Sequence, residues 1–132
     1  MGPDDQFHWS YVRNQILTVL FLIRHGADVT ARDDAHSTPL HLASSKESTH
    51  IVDLLIRHGA DINAQNGDQS TPLHLAASSR LALKGTIVRL LLRHGANIDA
   101  KDSKGRTPRE RAASAGNSWI ETLLSDHLAK RG

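Results

Sequence analysis

Thr38-Pro39-Leu40-His41-Leu42-Ala43 returns 33 residues later as Thr71-Pro72-Leu73-His74-Leu75-Ala76. A second phrase, Arg-His-Gly-Ala, stands at 24–27, 57–60 and 93–96, and a third, Ser/Arg-Thr-Pro, at 37–39, 70–72 and 106–108. Both of these series step by 33 residues and then by 36. Independent motifs that share one spacing, including the same excess of three residues, mark a tandem repeat with a single insertion. Cutting the 132-residue chain before Asp33, Asn66 and Asp102 gives units 1–32, 33–65, 66–101 and 102–132.

The physics of one unit is legible between 33 and 65. Thr38 followed by Pro39 is a helix start, because a hydroxyl at the N-cap accepts from an orphan amide and proline at the first helical position loses no hydrogen bond. Leu40, Leu42 and Ala43 define a short first helix. A polar break over 44–48 precedes Ile51, Val52, Leu54, Leu55 and Ile56, an apolar stripe at helical spacing that defines a second helix. Gly59 ends it, since the residue past a helix C-terminus commonly needs a left-handed conformation that glycine adopts cheaply. On this reading Leu54 faces the core, and Leu54→Ala is expected to cost about 2 to 5 kcal/mol by cavity formation. One unit is helix, turn, helix, long turn, and it cannot bury its stripes without stacked neighbours.

The phrases Thr38 to Ala43 and Thr71 to Ala77, together with Ile51-Val52, Leu54-Leu55 and Gly59-Ala60-Asp61-Ile62-Asn63-Ala64 and their partners over 87–100, resemble the ankyrin repeat. The stretch Val29 to Ser44 is also similar to arrays in fungal multi-repeat ankyrin proteins. The resemblance implies an all-α solenoid of four stacked helix-turn-helix repeats with long turns between them, forming a single domain over 1–132. The ends are degenerate. Counting back 33 residues from Leu40, His41 and Leu42 reaches Phe7, His8 and Trp9, so 1–32 reads as an N-terminal cap. In 102–132 Thr107-Pro108 persists, but Leu-His-Leu has become Arg109-Glu110-Arg111, which reads as the polar outer helix of a C-terminal cap. The turn glycine two residues before Thr-Pro is present at Gly105 and replaced by His36 and Gln69, so those turns are expected to be strained if they keep positive φ. The insertion falls at Arg80 to Gly85, where Leu81 and Leu83 either pack on a neighbour or form an exposed apolar knob.

Composition excludes several classes. Apolar residues make up 39% and charged residues 23% of the chain, normal for a globular protein and too apolar for disorder. The longest apolar stretch, Ile16 to Ile23 with Thr18 inside it, is 8 residues, against the roughly 20 that a bilayer span requires. The N-terminus has neither a basic start nor an apolar core, so a cytoplasmic or nuclear location is the expectation. Without cysteine there are no disulfides, thiolate metal sites or cysteine nucleophiles. The pI of 9.3 rests on a net charge of only +2.

Nine histidines invite a metal reading. Equivalent residues of stacked repeats lie roughly 8 to 10 Å apart, the helix packing distance. Zinc holds nitrogen ligands at about 2.0 to 2.1 Å, so one ladder cannot close around one ion. For His41 and His74 the resemblance implies a structural role, bonding to backbone near the turns. His25, His58 and His94 each precede a terminal glycine, where a donor suits the carbonyl end of a helix. Nothing reads as a catalytic constellation or cofactor cradle, and neither an enzymatic role, a cofactor nor a metal is expected.

In the family resembled, turn tips and the exposed face of each first helix form a concave surface that reads another protein. Carried onto this chain, that surface comprises Asp34, Ala35, His36, Ser37, Ser45 and Lys46, then Gly67, Asp68, Ser70, Ser78 and Ser79, then Ser103, Lys104, Arg106 and Ser114. Tyr11 falls on the same face in the first unit. The expectation is a monomeric, non-catalytic protein-interaction scaffold, with no membrane or small-molecule ligand. The alternative is nucleic acid or another polyanion bound through Lys101, Lys104, Arg106, Arg109, Arg111, Lys130 and Arg131, although no aromatics interleave them.

Overall fold

The structure, a computed structural model, describes residues 21–46, 48–79 and 85–131. After a helical turn over 21–24, six helices follow: α1 (Pro39–Ser45), α2 (Thr49–Arg57), α3 (Pro72–Ser78), α4 (Thr86–Arg93), α5 (Pro108–Ser114) and α6 (Ser118–Arg131). No strand occurs among the described residues. Tyr11 and the rest of residues 1–20 of the N-terminal cap expected over 1–32, and the insertion residues Arg80 to Lys84, lie outside them.

Each short helix starts as its sequence dictates. Thr38, Thr71 and Thr107 sit in extended backbone and accept from the amide of the third helical residue, while that residue's side chain accepts from the threonine amide, a closed capping box with proline beside it. Two orphan amides per helix are thereby satisfied, which lets a seven-residue helix persist. The C-termini of α2 and α4 close in the same way. The Ala60 amide reaches Leu55 O and the Gly59 amide reaches Ile56 O, a pairing that needs Gly59 at φ 92°.

Stacking then does what one unit cannot. α1, α3 and α5 form one layer and α2 and α4 another, each first helix packing on its own partner and on the next first helix. The core between the layers is built from Leu40, Leu55, Leu73, Ile87, Leu91, Ile120 and Leu124, all fully buried. This is an all-α solenoid.

Two expectations about orientation are corrected. α2 buries Ile51, Val52 and Leu55, and α4 buries their equivalents Ile87, Val88 and Leu91, so the stripe is centred on Leu55. Leu54 lies on its flank, half-buried against the core. Arg111 does not belong to an outward polar face. It occupies the position of Leu42 and Leu75 in the earlier units, and its guanidinium donates back into the preceding unit, to Ser70 Oγ at 2.8 Å and Ser78 Oγ at 3.3 Å.

Candidate functional site

The turns between units share one local design. In the first, the His36 amide bonds Asp33 O and the Asp33 amide bonds Ser37 O, a β-turn followed by one residue in the left-handed region. That residue is His36 (φ 60°) and then Gln69 (φ 58°), where the last turn has Gly105 (φ 75°), so the strained geometry is kept without glycine. Asp33, Asn66 and Asp102 head the turns. Each Oδ1 accepts two amides, those of Ala35 and Ser37, of Asp68 and Ser70, and of Lys104 and Arg106. Asp33 is therefore structural, and its neighbour Asp34 is the aspartate exposed at the tip.

Successive tips are stapled through backbone. The Gly67 amide donates to Ala35 O at 2.9 Å and the Ser103 amide to Asp68 O at 2.8 Å. Arg32 adds a side-chain strap, donating to His36 O and to Gln65 O at 2.8 and 2.7 Å. A Cβ on Gly67 would stand 3.1 Å from Ala35 O, a tight contact that the first two tips would relieve by a shift of a few tenths of an ångström, whereas Ser103 makes the equivalent bond with its side chain in place. These bonds use the main chain and leave the tip side chains pointing at solvent on a fixed frame.

The buried histidines tie the frame to the helices. His41 Nδ1 accepts from the Thr38 amide at 3.1 Å while Nε2 donates to Ser70 O, in the next unit, at 2.8 Å. His74 repeats this with Thr71 and Arg106 O. The set is compatible only with a neutral ring protonated on Nε2, and burial pushes both imidazoles below their ordinary pKa despite those bonds. In the last unit Glu110 takes over the capping half of the role, accepting from the Thr107 amide at 3.0 Å. His25 and His58 act as expected of histidines at a helix C-terminus, Nδ1 lying 2.9 Å from Phe21 O and from Leu54 O.

A polar network that sequence reasoning missed sits beneath the last tip. Asp102 is 5% exposed. Burial alone would push its carboxyl up, but the Arg106 and Lys104 amides, with the Arg111 and Arg106 guanidiniums, hold it at about 2. Arg111 lies 3.1 Å and Arg106 Nε 3.2 Å from Asp102 Oδ2. The only signal available in sequence was an arginine at a position that reads Leu42 and Leu75 elsewhere.

Of the sixteen candidate surface residues Tyr11 lies outside the described residues, and the other fifteen divide accordingly. Asp34, Ala35, His36, Lys46, Gly67, Asp68, Ser103, Lys104 and Ser114 are exposed, and Ser45 is half-buried. Ser37 and Ser70 are buried at 9% and 1% exposure, because each closes its turn through backbone and Ser70 also serves His41 and Arg111. They are not surface residues. Ser78 and Ser79 are half-buried with hydroxyls donating to His74 O and Ser45 O, and Arg106 is turned onto Asp102. The basic cluster is likewise reduced, since Arg106, Arg111 and Arg131 are all paired with aspartates. Among the described residues no group of three His, Asp or Glu side chains is placed to hold a metal ion, and no helix is long and apolar enough to cross a membrane.

A family model described as ankyrin repeats (3 copies) matches residues 7–102 and 71–131. No curated protein matches the chain.

Proposed function

Because the chain belongs to the ankyrin repeat family, whose repeats are generally protein-protein interaction modules and typically non-catalytic, we propose that it is a scaffold binding an extended segment of another protein along its turn tips. The observation that carries this is the stapled backbone. Gly67 to Ala35 and Ser103 to Asp68 join the tips without spending a tip side chain. Residues held rigid before binding lose little conformational entropy on binding, which is how a modest surface reaches useful affinity.

The contact set is Asp34, Ala35 and His36, then Gly67 and Asp68, then Ser103 and Lys104, with Ser45, Lys46 and Ser114 from the helix ends beside them. Charge along the strip runs from Asp34 and Asp68 to Lys104. A partner segment of the opposite polarity, basic then acidic, complements it. Tyr11 stays a candidate anchor, outside the described residues. The reduction of the basic cluster by internal pairing weighs against a polyanion as ligand.

The test is quantitative affinity capture from cells of the source organism, using the native chain and a variant carrying Asp34→Lys, Asp68→Lys and Lys104→Glu. These exposed positions leave the melting temperature nearly unchanged, while capture of the partner falls by about tenfold or more. Equal capture by native chain and variant refutes the tip surface as the site.

A further inference from the structure

The outer layer contains a second surface that the repeat pattern does not account for. α6 runs for 14 residues where α2 and α4 have 9 and 8. Its added turn is secured by Leu128 against the core and by Arg131, 3.0 Å from Asp99 in the turn after α4. α2 packs on α4, and α4 meets α6 at its own N-terminus, where Gly85 lies close against Ile120 and Leu123. Between them lies an open cleft of about 430 Å³.

The cleft is apolar at its floor and cationic at its rim. Leu92, Leu123 and Trp119 supply the apolar part, and Trp119 is 50% exposed, one of two large hydrophobic side chains so presented among the described residues. Arg89, Arg93 and Lys130 stand around it, with Asp126 the one acidic group. The Arg89 guanidinium lies over the Trp119 ring, 5.8 Å from its centroid, a cation–π contact that joins the two walls. An exposed tryptophan rimmed by arginine is the composition that binding hot spots favour.

We propose that this cleft between α4 and α6 binds an acidic peptide segment that carries one aromatic or large aliphatic residue. The apolar residue lies against Trp119 and Leu123, and flanking carboxylates pair with Arg93 and Lys130. Charge complementarity selects an acidic partner, since these two cations face a single aspartate. Asp126 within the wall argues against a nucleic acid, whose evenly spaced phosphates would have to pass it. The size suits such a fragment, because ligand clefts run roughly from 300 to 1,000 Å³. The inference is independent of the tip surface.

The experiment is fluorescence polarisation with a fluorescein-labelled Glu-Asp-Glu-Phe-Glu-Asp-Glu peptide, a version with Ser in place of Phe, and an oligothymidylate of the same length. The Phe peptide binds saturably and loses affinity as salt is raised. Arg93→Glu and Trp119→Ala each weaken it by about tenfold without a large change in melting temperature, and the Ser peptide binds correspondingly worse. The triple tip variant binds it as the native chain does. The proposal is overturned by absence of saturable binding, by indifference to Arg93→Glu and Trp119→Ala, by loss of binding in the tip variant, or by tighter binding of the oligothymidylate.

Discussion

Gln69→Gly should stabilise the protein, and the amount can be worked from the turn. Gln69 holds φ 58° at a position where the equivalent residue of the last turn is Gly105 at φ 75°. A left-handed conformation costs a residue with a side chain roughly 1 to 2 kcal/mol. Glycine relieves that strain, but its greater freedom in the unfolded chain returns about 0.5 to 1 kcal/mol. The turn's hydrogen bonds survive, because the Gln69 amide donates to Asn66 O at 2.9 Å and Gln69 O accepts from Gln65 Nε2, both through backbone. The net gain is about 0.5 to 1 kcal/mol, or a rise of about 2 to 4 °C in Tm for a chain of this length. Gly105→Ala is the reciprocal experiment. A Cβ there would meet nothing within 4 Å, so any loss is backbone strain alone, about 1 kcal/mol. Thermal melts followed by circular dichroism, with urea titrations to confirm an unchanged m-value, measure both. If Gln69→Gly lowers the midpoint, or Gly105→Ala leaves it where it was, the strain assigned to these turns is not there.

Leu55→Ala should cost about 2 to 5 kcal/mol and Leu54→Ala clearly less, because Leu55 is fully buried and Leu54 lies at the flank; urea denaturation showing the reverse order would mean α2 is rotated from the orientation described. Stability should fall on acidification from pH 7.5 to 5.5. Burial holds the folded pKa of His41 and His74 below the ordinary imidazole value of about 6.5, so the unfolded chain takes up protons first. Their contribution is complete above that value and declines below it by up to about 1.4 kcal/mol per pH unit for each ring. A flat urea midpoint across that range would show the rings are not held neutral. Arg111→Ala should cost about 2 to 3 kcal/mol by leaving the buried Asp102 carboxylate with fewer partners. Asp102→Asn should cost less, since Asn66 heads its turn equally well, and equal losses would remove the charge pair from the account.

The features read correctly from sequence are those set within a few residues of each other. Thr38-Pro39 and His41, or Gly59 after the α2 stripe, interact across one helical turn or less, so their spacing states the geometry. His36 and Gln69 belong here too: the turn around them demands a left-handed residue whatever the side chain, and the missing glycine announced the strain. The solenoid follows, because identical units with unburied stripes have few ways to stack.

What lay across a repeat boundary was not legible. Whether Leu54 or Leu55 faces inward depends on a rotation of the helix that an unbroken apolar run does not specify. Ser37 and Ser70 are polar residues in polar turns, yet both are buried, and Ser70 carries the next unit's Arg111 on its hydroxyl. Arg111 reads as a solubilising charge until Asp102, Ser70 and Ser78 are seen around it. The cleft between α4 and α6 depends on the distance between two helices that the chain joins only through a long turn and a further helix. Sequence by itself determined the unit and its repetition, since these rest on short-range hydrogen bonds and periodicity. The tertiary structure alone decided which side chains are available to a partner, because availability depends on what the neighbouring repeat covers.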